Sequence, residues 1–492
     1  MQNPMILMFV LYILTMLLIG CLGYYSTSNL SDYILGGRRL GKVVTALAAG
    51  ASDMSGWLLM GLPGLIYLSG LSGAWIAIGL VTGAWCNWKF VALRLRLFTE
   101  KFGNALTIPE YLSNRFEDKK HYLRISAAAI ILIFFTIYCS SGVVASARLF
   151  QNVFNIEYET AIYIGTFATI AYVFIGGFLA VSWTDTIQAS LIITALIFTP
   201  LVMIYHNGGV TQSLNIIQEM KPAHSSLFAN LTIIEALSLV AWGLGYFGQP
   251  HILVRFMATS KPKNIPGSRR ISITWMIFCL LGAIAVGYFG IAYFALHPDI
   301  AAPVNNNPEN VFIETAKYLF NPWIAGFLLA AILAAIMSTL SCQLLMCSSA
   351  LTEDLYKTFF RKNASQKELV YIGRLMVFVV ACIAILMAKN PNNGVLDLVS
   401  YAWAGFGDAF GPLIIFSLLW SRMTEKGALA GLIVGAVTVL IWRQYTWFGI
   451  YEIIPGFILA SIAIVAVSLL TRPPSASVVQ KFNEAKSQII ET

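Results

Sequence analysis

Long, nearly uninterrupted apolar runs follow one another from Met5 to Thr471, and they constrain this chain more than any other feature. A bilayer-spanning α-helix needs roughly 20 apolar residues. Read at that length, the runs predict 13 helices, near 5–24, 43–68, 73–95, 124–147, 159–180, 187–206, 232–256, 273–296, 323–349, 371–388, 395–420, 427–444 and 453–471. The run starting near Val43 reads as one long helix or as two halves. Outer-membrane barrel strands alternate with period two, and continuous runs exclude them. Of the 492 residues, 58% are hydrophobic and 11% charged, whereas soluble domains carry about 25% charged residues. Surface-to-volume scaling leaves a soluble fold nowhere to hide that much apolar surface. The expected fold class is an all-α polytopic membrane protein of 13 transmembrane helices, with the lipid bilayer as its surroundings.

The charges that remain report topology. The formal net charge is +8, but the basic residues sit in short loops. They form no basic face interleaved with aromatics, so nucleic acid is not an expected partner. No Lys or Arg precedes the first run, and the charged region of a signal peptide is missing. The first basic residues, Arg38, Arg39 and Lys42, follow that run. By the positive-inside rule the N-terminus lies outside. Alternating sides through 13 helices then leaves only Arg148, Lys221, Lys317, Lys389 and Arg443 of the 31 Lys and Arg on the outer face. The C-terminus falls in the cytoplasm and the expected location is a bacterial inner membrane. The outer loops near 207–231 and 297–322 are nearly uncharged. The inner loop 97–123 is expected to hold a short amphipathic helix around Pro109 to Asn114. The short tail beyond Arg472 leaves no room for a soluble domain, and no obligate protein partner is evident. No GxxxxGK[ST] loop is present, so ATP-driven transport by this chain alone is not expected. The five histidines make no metal or triad pattern, and no nucleophile has a base beside it, so an enzyme is not expected. The seven cysteines lie in apolar runs without CxxC spacing, as small buried hydrophobes do.

Inside a membrane, irregular backbone is tolerated only where it is buried in protein or lines a cavity. Transporters build sites from helices broken near the midplane at matching places in two inverted repeats. Two runs here are interrupted. Helix two contains Ala48-Ala49-Gly50-Ala51-Ser52-Asp53-Met54-Ser55-Gly56-Trp57, with Gly61, Pro63 and Gly64 a turn later. Helix seven contains Trp242-Gly243-Leu244-Gly245-Tyr246-Phe247-Gly248-Gln249-Pro250. The two are five helices apart. Since five is odd, helices 2–6 and 7–11 must face opposite ways, which is an inverted repeat with helices 1, 12 and 13 peripheral. The corresponding divisions are 1–42 for the first peripheral helix and its loop, 43–206 and 207–420 for the repeats, and 421–492 for the last helices and tail. Glycines in one such run more often serve close packing of neighbouring helices. Two runs at corresponding positions, one holding an acid, favour a site.

Asp53 is the sharpest residue, because a carboxylate at depth costs about 2.5–3.5 kcal/mol on insertion scales. It attracts a cation or handles a proton; alternatively it caps the break. In helix nine, Ser338 and Thr339 could offer hydroxyls to a sodium ion beside carbonyls freed in helix two. They could equally back-bond to their own helix. Tyr138, Trp242 and Tyr246 could wall a small apolar substrate, although aromatics are common in this chain. Asp185, near the cytoplasmic end of helix six, reads as an ion exit station or as a helix N-cap. Asp408, in Ala404-Gly405-Phe406-Gly407-Asp408-Ala409-Phe410-Gly411-Pro412, is a second deep acid whose glycines suggest another break or a close approach.

Taken together, four runs closely resemble the sodium/proline branch of the solute:sodium symporter family: Tyr33-Ile34-Leu35-Gly36-Gly37-Arg38, Ala49 to Leu58, Gly243 to His251, and Ala335 to Cys342. The resemblance covers essentially the whole chain. It implies a LeuT-like 5+5 inverted-repeat core with broken helices two and seven. The implied activity is sodium-coupled symport of L-proline into the cell by alternating access. It implies one sodium ion between helices two and nine, held by the carbonyls of Ala51, Met54 and Ala335 and the hydroxyls of Ser338 and Thr339. It makes Asp53 essential for coupling and implies a proline pocket of Ser55, Trp57, Gly61, Tyr138, Trp242, Tyr246, Gln249 and Pro250. Arg38 would act at the inner gate. The position of Asp408 departs from the family, which usually carries a small apolar residue there. A second cation, a proton or a basic partner would each account for an acid at that place.

Overall fold

The computed structural model describes residues 2–25, 29–390 and 394–491, with the side chains of residues 2, 3, 24, 171–176, 490 and 491 outside the description. Among the described residues the secondary structure is helical apart from one isolated bridge, Leu40 with Thr259. The chain opens with α1 (Gln2–Tyr25), α2 (Leu30–Leu35), α3 (Lys42–Asp53), α4 (Leu62–Ser69), α5 (Trp75–Cys86), α6 (Leu93–Lys101) and α7 (Ile108–Phe116). It continues through α8 (Tyr122–Phe154), α9 (Tyr158–His206), α10 (Val210–Met220), α11 (Ile233–Val240), α12 (Pro250–Met257) and α13 (Ile265–Leu296). Then come α14 (Ala302–Asn306), α15 (Val311–Leu319), α16 (Pro322–Ser349), α17 (Gln366–Met387), α18 (Val395–Leu419), α19 (Glu425–Tyr445), α20 (Ile453–Leu470) and α21 (Ala476–Glu491).

Ten helical stretches are long and apolar enough to cross a membrane, against the 13 expected. Two of the three differences fall where helices are interrupted, and the third, the span near 159–180, includes residues whose side chains are outside the description. The predicted second helix is two halves, α3 and a segment starting with the π-turn Trp57–Gly61 that runs into α4. The predicted seventh is α11, a 3₁₀ segment Ala241–Gly248, and α12. The predicted fifth and sixth are the two parts of α9, which meet at Gly177 in non-helical backbone (φ 64°, ψ −164°). The sixth therefore starts about ten residues earlier than its apolar run indicates, because Ser182, Thr184 and Asp185 are buried inside the protein. The expected short helix in the inner loop is α7. The nearly uncharged outer loops carry α10, α14 and α15.

Helix α16 is apolar all round and buried at almost every position from Ala325 to Ser349, as a helix at the centre of a bundle must be. It packs against α1, α3, α8, α9 and α17. Around it the two interrupted helices approach their neighbours through glycines. A Cβ on Gly83 of α5 would lie 2.0 Å from the carbonyl oxygen of Gly243, and one on Gly243 would lie 2.2 Å from that of Gly79. A Cβ on Gly248 would lie 2.1 Å from the carbonyl of Phe406 in α18. Small residues let helix backbones touch where lipid supplies no hydrophobic drive. Gly83→Val is expected to cost about 1–3 kcal/mol by overpacking, read as a lower unfolding temperature in detergent. Gly41→Ala, with nothing within 4 Å of the added methyl, should leave that temperature unchanged.

Candidate functional site

In a continuous helix the carbonyl of Ala51 would accept the N–H of Ser55, four residues on. Here Met54 leaves the helical region (φ −80°, ψ 77°), and Ser55 N–H turns back to the carbonyl of Asp53 at 3.0 Å. The Ala51 carbonyl is thereby released. Helix α16 meets it: Ser338 Oγ donates to it at 2.8 Å and Thr339 Oγ1 at 3.4 Å. Ser338 Oγ also lies 3.0 Å from the carbonyl of Ala335. Four oxygens, two of them carbonyls and two hydroxyls, thus converge on one spot without a formal charge. Met54 stands at the break itself, as the residue that caps α3. The close approach is permitted by Gly56, whose added Cβ would meet Ala145 of α8 at 3.0 Å and Ile336 of α16 at 3.1 Å.

Asp53 is buried just before the break. Its Oδ2 accepts a short hydrogen bond from the Tyr246 hydroxyl, and its Oδ1 has no partner. The backbone carbonyl of Asp53 accepts Trp57 Nε1–H at 3.2 Å. The carboxylate faces a small cavity lined by Asn87, Trp88, Tyr246, Ser272 and Met276. The two interrupted helices are therefore joined directly, Asp53 of the first to Tyr246 of the second.

The second interruption gathers aromatic rings. Trp242 stacks on Trp403 of α18 (6.3 Å, 27°) and on Tyr451 (5.6 Å, 27°), and lies 6.4 Å from Trp57. Trp403 Nε1–H donates to the carbonyl of Trp242 at 2.7 Å. Tyr246 meets Trp403 edge-on at 5.0 Å. Gln249 Nε2 donates to the carbonyls of Gly245 and Trp403 at 3.2 and 3.1 Å, and its Oε1 is unpartnered. Pro250 starts α12, where its missing N–H costs nothing. Tyr138 of α8 sets its ring edge-on to His251 at 6.0 Å, with its hydroxyl toward Ser55. Of the expected pocket residues, Ser55, Trp57, Tyr138, Trp242, Tyr246 and Gln249 come together around the two breaks. Gly61 lies one turn after Trp57, with its Cβ position 3.5 Å from Trp57 Cβ and 3.2 Å from Leu396 Cβ.

The remaining acids and Arg38 fall elsewhere. Asp185 is neither a cap nor open to water: it lies inside α9 and its Oδ2 is 2.8 Å from Arg255 Nη2 of α12, both side chains fully buried. Arg255 also donates to Ser182 Oγ, reaches Cys342 Sγ of α16 at 3.2 Å and covers the Phe178 ring. Asp408 interrupts nothing. α18 runs straight through it, and its glycines serve close approach, the second of the two expected readings. Arg38 ties the first cytoplasmic segment to the end of α12: its guanidinium donates to the carbonyls of Met257 (2.6 Å) and Ala105 (2.9 Å), to Asn104 Oδ1 (3.0 Å) and to Thr99 Oγ1 (3.3 Å). Burial, with Arg96 nearby, pushes its guanidinium down to about 10, so it remains a cation at neutral pH.

Three partners escaped the sequence reading. Arg255 was legible as the counter-charge of Asp185, since it is the one cation inside the apolar stretch Pro250–Met257. Asn87, buried, donates from Nδ2 to the carbonyl of Tyr246 at 2.9 Å; it opens a π-helical turn, Asn87–Ala92, a feature frequent at functional sites but without a sequence signature. Trp403 was one aromatic among many.

Comparison with known proteins gives the family and the fold. The profile of the sodium:solute symporter family matches residues 33–435. The sodium/proline symporter of Escherichia coli strain K12 is 62% identical over 98% of this chain and 96% of its own length. The high-affinity proline transporter PutP of Bacillus subtilis strain 168 is 52% identical over 95% of this chain and 98% of its own. Among solved structures, a Na⁺-coupled sialic acid symporter in a substrate-bound outward-open state superposes with a TM-score of 0.80 at 19% identity, over 96% of this chain and 99% of that one. The nucleobase-cation symporter Mhp1 superposes at 0.58 with 13% identity, over 93% and 99%. These last two likenesses concern the fold alone. The chain belongs to the sodium:solute symporter family.

Proposed function

We propose that this protein is a secondary transporter that carries L-proline into the cell with sodium, by alternating access. The observation that carries the reading is the released Ala51 carbonyl, met by the hydroxyls of Ser338 and Thr339. Sodium is a hard cation that prefers oxygen ligands. A ring of carbonyls and hydroxyls binds it without the desolvation cost of a buried carboxylate pair. On arrival it replaces the hydrogen bonds that Ser338 and Thr339 now make, with Ala51, Met54 and Ala335 supplying carbonyls. Asp53, beside that set, adds attraction for the ion while its hydrogen bond to Tyr246 holds the second break in place. The relatives named for proline supply the substrate.

The proline ring sits among Trp57, Tyr138 and Trp242, with Ser55, Gly61, Tyr246, Gln249 and Pro250 completing the pocket. As a zwitterion it carries no net charge, so hydroxyls and freed N–H groups suffice for its carboxylate. Coupling requires that both ligands stabilise one common state. The core is read as 13 membrane helices with a five-plus-five inverted repeat, residues 43–206 against 207–420. Segments 1–42 and 421–492 flank it. The N-terminus lies outside, the C-terminus in the cytoplasm, and the membrane is the bacterial inner one. Arg38 closes the inner side by tying the first loop to the end of α12, and Asp185 with Arg255 braces the same end of the core.

Radiolabelled L-proline uptake into proteoliposomes tests the reading. Saturable accumulation is expected with an inward sodium gradient and not with an equal choline gradient; equal accumulation in both would refute sodium coupling. Ser338→Ala and Thr339→Ala should each raise the sodium half-saturation by about tenfold, the equivalent of ~1.4 kcal/mol, with a smaller change for proline at saturating sodium. Tyr246→Phe, which removes the donor to Asp53, should lower uptake at limiting sodium and recover as sodium is raised, whereas Asp53→Asn should not recover.

A further inference from the structure

Nine acids are buried among the described residues, and all but one have a donor or a basic neighbour. Asp53 accepts from Tyr246, Asp185 from Arg255, and Asp354 from Thr107 and Arg124. Asp408 is the exception. It is 0% exposed, and neither carboxyl oxygen has a hydrogen-bond partner. It stands in the middle of α18, on the seam with α19 and α20. A Cβ on Gly456 of α20 would lie 1.8 Å from its Oδ2, and one on Gly435 of α19 would lie 2.2 Å from its backbone oxygen. The two glycines make the space that the carboxyl fills.

The groups facing it do not neutralise it. From the start of α20 come Glu452, one turn before Gly456, and Tyr451. The Tyr451 hydroxyl is committed to the carbonyl of Ser400 at 2.7 Å. From α19 the nearest cation is Arg443, which lies 3.7 Å from Glu452 Oε1 and over the ring of Tyr401. From the 3₁₀ segment packed on α18 the titratable group is Tyr246, already bound to Asp53. From α8 it is Tyr138, turned to Ser55 and His251. A bare carboxylate at membrane depth, with a second acid as neighbour, has neither a counter-charge nor a donor. A metal ion needs several oxygens and room for itself, and the contact with Gly456 leaves no room. A proton needs neither.

We propose that Asp408 is a proton-binding site on the seam between α18 and the α19–α20 pair, separate from the sodium site. Proton release breaks the O–H bond of the carboxylic acid and leaves the electron pair on the carboxylate, with water as the acceptor. The bare charge then repels Glu452 and loosens α18 from α20. Because α18 carries Trp403, which stacks on Trp242 and donates to its carbonyl, the state of the seam reaches the second broken helix. Transport thereby acquires a pH dependence that sodium does not set.

Infrared spectra of the full-length protein in proteoliposomes, recorded in H₂O and D₂O across a pH series, read the proton directly. The wild type should show a deuterium-sensitive carbonyl band of a protonated carboxylic acid at neutral pH, titrating on the alkaline side, and Asp408→Asn should lack it. Above the point where the band is lost, wild-type uptake should fall about tenfold per pH unit, and this fall should vanish in Asp408→Asn, which mimics the neutral acid. The same band in Asp408→Asn at neutral pH, or an unchanged alkaline fall, overturns the proposal. Should the Asn variant fail to fold, Asp408→Ala replaces it for the band, which must again be missing.

Discussion

One carbonyl oxygen, that of Ala51, organises the centre of this molecule. In hydrocarbon an unsatisfied backbone group is costly, and irregular backbone survives only where protein or a cavity serves it. The turn of Ser55 N–H back to Asp53 releases the Ala51 carbonyl, and the hydroxyls of Ser338 and Thr339 take it up. That requirement makes α16 the central helix. A helix that presents two hydroxyls to another helix's break must be enclosed by protein, and α16 is buried along nearly its whole length. It also explains why the site is held loosely in chemical terms. Hydrogen bonds between hydroxyls and carbonyls are modest in net worth, so an arriving cation can replace them.

The second interruption depends on the first. Tyr246 donates to Asp53, Trp57 lies against Trp242, and Asn87 holds the Tyr246 carbonyl. Movement at one break is therefore felt at the other through direct contacts and needs no long pathway. The glycines at 79, 83, 243 and 248 serve the same end, since they bring the 3₁₀ segment against α5 and α18 backbone to backbone. Packed contacts of this kind have discrete arrangements rather than a continuum, which suits a protein that must alternate between two openings.

Much of this was legible in the residues. The apolar runs and the placement of Lys and Arg defined a polytopic helical protein, and the two interrupted runs pointed to both breaks. Asp53, Ser338 and Thr339 stood out because polar groups at depth are expensive. Other features were not legible. Apolar length alone does not tell where a spanning helix is broken in two, as between α3 and α4, or where the chain turns, as at Gly177. Asp185 read equally well as a cap, because its partner Arg255 lies 70 residues away in the chain. That Gly61 also makes room for Leu396 of α18 was not legible either. Asp408 read as another break or as a close approach, and only the packing of α18 against α19 and α20 decides for the second.

The sequence by itself determined the solvent, the class of fold and the family. These follow from local quantities: the length of apolar runs, the position of charges relative to them, and long identical stretches of residues. Tertiary structure alone decided which oxygens meet and which acids are paired. Hydrogen bonds and ion pairs act over about 3 Å between residues that lie hundreds of positions apart, as Ala51 and Ser338 do. No periodicity along the chain encodes that proximity; it arises only when buried helices are packed around α16.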